Sequence, residues 1–312
     1  MKLLRNTLTL CGAVLAMAAC LAQEAPTATP ASVETTAPVA APLPKPSISD
    51  VVQTIGKDAK IDWTIFQFRA VGVGVAPEGA TGGRAKALAR EAAITVAERN
   101  LLKVVQGVHI SSETQVENLV LASDVIKTKL AGALKGAAVV QEKDMEDGSY
   151  LVVVAMPMLG EQGVATAVDL PKQVEACTPK TEMTLADVPA PKAVKGDFTG
   201  LLIDCRGLKI SPAMSPAIIG PDAEAVYPRD EMNADTLVHT GVVAYYKSFD
   251  AAKQAGRVGS HPLIIKASGV KKDGDDMWYT SPLVKQSDAA RILAEDARGG
   301  FMGKLAVGFL VD

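Results

Sequence analysis

The chain has 312 residues, of which 48% are hydrophobic, so it is long enough to build two domains with cores and is not a disordered protein. Acidic residues outnumber basic ones by 35 to 32, and aromatic residues make up only 4% of the chain. Nucleic-acid binding needs clustered Lys and Arg side chains, and single-strand binding adds stacking rings. This composition therefore argues against a nucleic-acid partner.

Residues 1–22 are typical of a secretory signal peptide. A short basic region precedes an apolar stretch, Leu8 to Ala19, that is too short to span a membrane comfortably. The letters MAAC, which end at Cys20, resemble the lipobox of bacterial lipoproteins, in which the cysteine is diacylated. Leu21 rather than Asp follows, and the resemblance to enteric lipoprotein sorting signals implies an outer-membrane lipoprotein facing the periplasm. The alternative is ordinary cleavage after Ala22, which predicts a soluble periplasmic or secreted protein.

A tether is predicted over residues 23–46. This segment consists almost entirely of Ala, Pro, Thr and Val, and nothing in it can build a core. Such a Pro-rich segment is semi-extended, and about 24 residues at roughly 3.1 Å each could reach on the order of 70 Å. We expect a disordered linker that holds a folded body away from a lipid surface.

A first α+β domain is predicted over residues 47–170. Hydrophobic periodicity and turn residues predict a strand over 61–76, a helix over 83–105, a strand over 108–117, a helix over 120–134 and a hairpin over 137–158. The helix over 83–105 is the clearest element, because small and apolar residues recur on one face and Gly107 follows as a C-terminal cap. The dipeptide Asp147-Gly148 favours the tight turn of the hairpin.

The stretch VGVGVAPEGATGGRAKA, which begins at Val71, contains the only glycine pattern that suggests a nucleotide-binding loop. Gly72 and Gly74 alternate with valines and so belong to a strand, whereas phosphate-binding glycines lie in the turn before a helix. The spacing is GxGxxxxG rather than GxGxxG, and Glu78 would repel a phosphate. We therefore predict no cofactor, and we expect the glycines to let an alanine-rich helix pack closely on its sheet.

These elements resemble those of a known family. The strand with alternating glycines, the helix RAKALAREAAITVAERNLLKVVQGV and the hairpin ending YLVVVAMPM are similar to the Lpp-twenty lipoprotein domain over about residues 60–159. That domain is related to the N-terminal domain of the flagellar envelope protein FlgT. The resemblance implies a small non-enzymatic domain on a Gram-negative envelope lipoprotein, sometimes tied to flagellar assemblies. It supplies no catalytic residues.

A linker is predicted over residues 171–196, and a second α+β domain over 197–312. The expected elements are strands over 200–208, 237–246, 262–270 and 304–311, a hairpin over 217–227, and helices over 249–255 and 287–298. Ser248 is the expected N-terminal cap of the first of these helices, and Gly256 its end. The chain as a whole is therefore predicted to be α+β, with two small domains after a signal peptide and a tether.

Two cysteines, Cys177 and Cys205, remain after the signal segment. In an oxidising periplasm they would form one disulfide, worth roughly 3 to 4 kcal/mol for a loop of about 29 residues. The alternative is two separately buried thiols, because connectivity cannot be deduced from sequence.

Asp204 and Arg206 are the charges of most interest, because they lie two residues apart on an otherwise apolar strand and so point to the same side. One interpretation is a polar pocket that they form with Arg257, Lys266 or Asp288. The alternative is a side that faces solvent or contains a single ion pair.

No catalytic or metal site is predicted. His109, His239 and His261 fit no zinc motif, and the acidic run over 273–276 lacks the spacing of a calcium loop. The expected function is that of a non-catalytic envelope lipoprotein, a structural or interaction protein. It would bind the membrane through its lipid and contact other envelope or flagellar proteins. The alternatives are a periplasmic protein that binds a small molecule or glycan through its second domain, and an enzyme whose catalytic group is assembled from distant residues.

Overall fold

The computed structural model describes residues 51–181, 183–184, 197–229, 232–271 and 279–312. Several predictions from the sequence lie outside these residues: the signal peptide, the lipidation site Cys20, the tether over 23–46, the acidic run over 273–276 and part of the linker over 171–196. The described residues combine helices with antiparallel and parallel sheets, so the predicted α+β fold class is confirmed.

The first half of the chain forms a five-stranded antiparallel sheet with the spatial order β1-β2-β3-β5-β4. Its strands are β1 (Val52–Ile55), β2 (Ala59–Asp62), β3 (Gln67–Gly74), β4 (Ala138–Asp144) and β5 (Tyr150–Pro157). Its helices are α1 (Gly82–Gln106), α2 (Val116–Ala122), α3 (Asp124–Lys135), α4 (Val164–Ala167) and α5 (Leu170–Cys177). The helix predicted over 83–105 and the hairpin predicted over 137–158 are confirmed. α5 occupies the start of the predicted linker.

Helix α1 packs on one face of this sheet, along β3 and β5. Its alanines Ala89, Ala93 and Ala97 are buried in the interface. A Cβ atom on Gly72 or Gly74 would overlap the main chain of α1 at these alanines. The two glycines therefore permit the close approach of strand and helix, as the sequence predicts, and they belong to β3 rather than to a turn.

The single strand predicted over residues 61–76 is wrong, because the chain turns between β2 and β3. The Asp62 carboxylate accepts hydrogen bonds from the backbone N–H groups of Thr64 and Ile65, at 3.1 and 3.2 Å. Phe66 then adopts a left-handed φ of 52°. An aspartate that binds the backbone two residues further on forms a local turn, and this turn outweighs the β-branched and aromatic residues around it.

The strand predicted over residues 108–117 is also wrong. The N–H groups of Ile110 and Ser111 both donate to the Thr114 carbonyl, at 2.8 and 3.2 Å, and the Ser111 hydroxyl accepts from the N–H of Glu113 at 3.3 Å. Serine and threonine compete for backbone partners in this way and favour turns. The segment is a tight turn that leads into α2, and the helix predicted over 120–134 is divided between α2 and α3.

The second half contains two four-stranded sheets. One is parallel, with the order β10-β6-β13-β9, and consists of β6 (Gly200–Asp204), β9 (Ala244–Tyr246), β10 (Pro262–Lys266) and β13 (Val307–Leu310). The other is mixed, with the order β11-β12-β7-β8, and consists of β7 (Ile218–Ile219), β8 (Ala225–Tyr227), β11 (Gly269–Val270) and β12 (Pro282–Leu283). The helices are α6 (Ala234–Thr240), α7 (Phe249–Ala255) and α8 (Gln286–Gly299). None of the described helices combines the length and apolarity that crossing a membrane requires.

The strand predicted over residues 237–246 is instead α6 followed by β9. The Asn233 side chain accepts a hydrogen bond from the N–H of Thr236 at 2.9 Å at the start of α6, and Gly241 has a φ of 74° at its end. These two caps outweigh the β-branched residues between them. The strand predicted over 262–270 is divided between β10 and β11, while the two predicted helices are confirmed as α7 and α8.

The two halves share a hydrophobic core. All the described residues belong to one compact unit, and one cluster of buried apolar side chains runs through both halves. Trp63 lies edge-on against Tyr245, and Tyr245 lies edge-on against Phe309, with ring centroids 5.5 and 5.9 Å apart. The Tyr245 hydroxyl donates to the Ala213 carbonyl and accepts from the Ala213 N–H, both at 2.9 Å. The division into two domains stays a prediction, but their cores are continuous.

Candidate functional site

The face of the antiparallel sheet opposite α1 presents apolar side chains to solvent. The ladder pairs Val73 with Leu151 and Val71 with Val153, and directly paired side chains lie on the same face. Val73 is 51% exposed, and Val75, which follows β3 in the same phase, is 68% exposed. We call Val71, Val73, Val75, Leu151 and Val153 the sheet patch.

Basic side chains border the sheet patch. Lys143 is paired with Leu151, and Arg69, two residues before Val71 on β3, is paired with Lys60. The carboxylate of Asp62 on the same face is held by its own turn. The face therefore combines an apolar centre with a largely positive border.

The predicted polar pocket is instead an ion pair at the carboxyl end of β6. The Asp204 carboxylate accepts two hydrogen bonds from Arg206, from Nε at 2.8 Å and from Nη2 at 2.7 Å, and this interaction lowers the pKa of Asp204. Arg206 lies over the ring of Phe249, with its Cζ atom 5.1 Å from the centroid. Lys266 pairs with Asp204 across the sheet and favours its ionised form. Asp288 lies in the first turn of α8, where a negative charge is favourable.

Arg257 is not part of this cluster. Its guanidinium donates hydrogen bonds of 2.6 to 3.0 Å to the backbone carbonyls of Thr240, Gly241, Val242 and Leu305. These carbonyls precede β9 and β13, so Arg257 lies at the end of the parallel sheet opposite the ion pair. Burial lowers the pKa of Arg257. Its bonds hold together the segments that enter two neighbouring strands, which is a structural role.

A polar cavity of about 200 Å³ lies where the first half, α5 and the second half meet. We call it the junction cavity. Its lining includes Glu113, Thr114, Gln173, Cys177, Ser215 and Ser281.

Several polar groups of this lining have no protein partner. Gln173 is 8% exposed, and its Nε2 donates to the Val168 carbonyl at 3.1 Å, while no described residue binds its Oε1. Ser215 is 4% exposed, and its hydroxyl has no partner in the described part of the chain. Ser281 Oγ, in contrast, accepts from the N–H of Ala217 at 3.1 Å. Neither Gln173 Oε1 nor the Ser215 hydroxyl is fully enclosed by protein, so both remain open to a ligand or to water in the cavity.

The two remaining cysteines are both free thiols, so the structure contains no disulfide between Cys177 and Cys205 and shows the alternative of separate thiols. Cys205 is buried, and desolvation raises the pKa of its thiol. A thiol held in its protonated form is a poor nucleophile. Cys177 is half-buried and lines the junction cavity.

The three histidines occupy separate places. His109 lies beside Gln115 in the turn before α2, His239 ends α6, and the ring of His261 lies against Phe198 with the centroids 5.0 Å apart. Among the described residues, no group of three or more Asp, Glu, His or Cys side chains is placed to hold a metal ion.

No pattern in the sequence predicts the junction cavity. Its residues come from the turn before α2, from α5 and from loops of the second half, and no motif links these segments. The polar run SSET, which begins at Ser111, is the signal that sequence reasoning could have used, because four polar residues seldom occupy one strand without alternation.

Comparison with known families bears on the second half of the chain. Residues 200–312, from β6 onward, match the family described as Treponema pallidum Tp0624, second domain. The resemblance to the Lpp-twenty domain and to FlgT, predicted over residues 60–159, is wrong, because the family match is to this different domain and lies outside that range. No curated protein matches the chain significantly.

Proposed function

We propose that the protein is a non-catalytic component of the cell envelope that docks another envelope protein on the sheet patch. The observation that carries this proposal is the group of apolar side chains on the open sheet face, of which Val73 and Val75 are exposed and the other three half-buried. Burying apolar surface stabilises a protein by about 25 cal/mol per Å², so an exposed patch with a polar rim is characteristic of an interaction surface.

The border of the patch specifies the chemistry of the partner. Lys60, Arg69 and Lys143 surround the apolar centre. Complementary charge steers association and fixes register, while the apolar centre supplies most of the affinity. The partner is therefore an envelope protein that presents an apolar surface bordered by Asp or Glu side chains.

Features of the N-terminal sequence support the location. The signal-like segment, the lipobox-like Cys20 and the Pro-rich tether are typical of a protein anchored in the envelope by a lipid. The mass of the mature N-terminal peptide tests the anchor: diacylation of Cys20 in the membrane fraction, absent from Cys20→Ser, is expected.

In-cell photo-crosslinking tests the docking surface. A photoreactive phenylalanine analogue at position 73 is expected to give one adduct of defined mass, whereas the same analogue at position 264, an apolar residue of β10 that is 46% exposed, gives none. The double variant Lys60→Glu with Lys143→Glu is expected to abolish the adduct, because it reverses the charge of the border. Equal adducts at both positions, or an adduct that survives the charge reversal, would contradict the proposal.

A further inference from the structure

We infer that the junction cavity binds a small amine-bearing polyol of about monosaccharide size. This inference does not depend on the sheet patch. The cavity is concave and lies between segments that a ligand could bridge. Its volume of about 200 Å³ is below the roughly 300 to 1,000 Å³ of pockets for drug-sized ligands, so it limits the ligand to a smaller molecule.

The lining groups that have no partner among the described residues are suited to bind the hydroxyl groups of a ligand. Gln173 Oε1 and the Ser215 hydroxyl belong to side chains that are more than nine-tenths buried, and neither has a partner among the described residues. The Thr114 hydroxyl, at the same cavity, is likewise without a partner there. An amide oxygen and several hydroxyls offer acceptors and donors at close spacing, which matches the alternating hydroxyl groups of a polyol.

Glu113 is the residue that favours an amino group on the ligand. Its side chain lines the cavity, is exposed at the rim, and forms no ion pair within the described residues. Lys271 lines the same cavity, but it already has an interaction of its own. The Glu113 carboxylate therefore has no cationic partner among the described residues, and a cationic group on the ligand would gain a charge-assisted hydrogen bond with it.

Apolar side chains of the lining suit the carbon skeleton of such a ligand. Leu119, Ala217 and Ile219 line the cavity together with the polar groups. A ring with hydroxyl groups at its edge and C–H groups on its face can contact both kinds of surface. A multiply charged anion, in contrast, would meet the Glu113 carboxylate.

The two thiols provide a direct measurement of occupancy. Cys177 lines the cavity and is half-buried, whereas Cys205 is buried and its thiol pKa is raised, so iodoacetamide should alkylate Cys177 alone in the folded protein. The experiment uses the mature chain with Cys20→Ser and follows alkylation by peptide mass in the presence of glucosamine, glucose or citrate. Glucosamine is expected to slow alkylation of Cys177 saturably, glucose to do so only at higher concentration, and citrate not at all.

Single substitutions measure how much each contact contributes to ligand binding. Glu113→Gln is expected to weaken glucosamine binding about tenfold, which corresponds to about 1.4 kcal/mol, and to remove the preference over glucose, because the charge-assisted hydrogen bond is lost. Ser215→Ala is expected to weaken both sugars, while Thr95→Ala, on the exposed side of α1, changes neither. Isothermal titration calorimetry on the same proteins provides an independent affinity. Absence of protection by glucosamine, stronger protection by citrate, or an unchanged preference in Glu113→Gln would overturn the inference.

Discussion

Trp63 lies edge-on against Tyr245, with their ring centroids 5.5 Å apart, and each side chain is only 1% exposed. Trp63 belongs to the turn between β2 and β3, and Tyr245 belongs to β9, so this contact joins the antiparallel sheet to the parallel sheet. The Trp63 indole also donates to the Gln53 side chain at 3.2 Å. Aromatic pairs in this geometry stabilise beyond the area that they bury. The two halves are therefore energetically coupled.

We expect the mature protein to unfold in one calorimetric transition, because the coupled halves lose their shared core together. Trp63→Ala is expected to reduce the free energy of unfolding by about 3 to 5 kcal/mol and to lower the midpoint of that single transition. Ile65→Ala, at a residue of the same turn that is 54% exposed, is expected to change it by less than about 0.5 kcal/mol. Two separate transitions in the unaltered protein would contradict the coupling.

Gly72→Ala is expected to destabilise the protein by about 3 kcal/mol or more, because the new methyl group would overlap the main chain of α1 at Ala93 and force helix and sheet apart. Gly132→Ala is the matched control: no atom lies within 4 Å of the added methyl group in α3, so a gain of about 0.5 to 1 kcal/mol is expected. Urea denaturation measures both. Equal effects of the two substitutions would show that strand and helix do not approach as closely as the structure indicates.

Arg257→Met is expected to destabilise the protein by about 3 kcal/mol or more, because the carbonyls of Thr240, Gly241 and Leu305 lose their donor in a buried site. Arg257→Lys should recover only part of this loss, since one ammonium group cannot reach all of the carbonyls. Arg84→Met, at an exposed position in the first turn of α1, is expected to remain within about 0.5 kcal/mol of the parent protein. Full recovery by lysine would contradict the role of the planar guanidinium.

Residues that cap the two ends of a helix allow that helix to be predicted from the sequence. Ser248 accepts from the N–H of Ala251 at 3.1 Å and Gly256 has a φ of 75°, so the helix between them could be placed to the residue. Asn233 and Gly241 carry the same information for α6, yet the β-branched residues between them favour a strand by propensity. The two caps were the stronger signal, because they satisfy the backbone groups at the helix ends whatever secondary structure the residues between them favour.

Relationships across the chain could not be predicted in this way. The prediction that Asp204 and Arg206 share one side of a strand is wrong, because β6 ends at Asp204 and Arg206 lies in the turn that follows, where it folds back onto the Asp204 carboxylate. Only the parallel order of the sheet puts Arg257 at the opposite end. The junction cavity likewise depends on how the turn before α2 meets Ser215, whose N–H donates to the Ile110 carbonyl at 2.7 Å. Such contacts arise from tertiary packing, which no local pattern encodes.

The Asp204–Arg206 pair should make stability depend on pH. Arg206 lowers the folded-state pKa of Asp204, so the pair stabilises the protein above the unfolded pKa of about 3.9, and the contribution is lost as the pH falls through the lower folded pKa. Because the Arg206 side chain is 41% exposed, solvent screens the pair, and its contribution at pH 7 is expected to be small.

Urea denaturation of the parent protein and of Asp204→Asn, measured between pH 7 and pH 2, checks this expectation. The difference between them should be constant down to about pH 4 and should then shrink towards zero, because protonated Asp204 no longer attracts Arg206. Glu146→Gln, in the exposed turn of the β4–β5 hairpin, controls for the removal of one carboxylate. High salt should reduce the Asp204 effect, since both charges are partly solvated. A difference that stays constant to pH 2 would mean that Asp204 stabilises β6 through its shape and hydrogen bonds rather than through its charge.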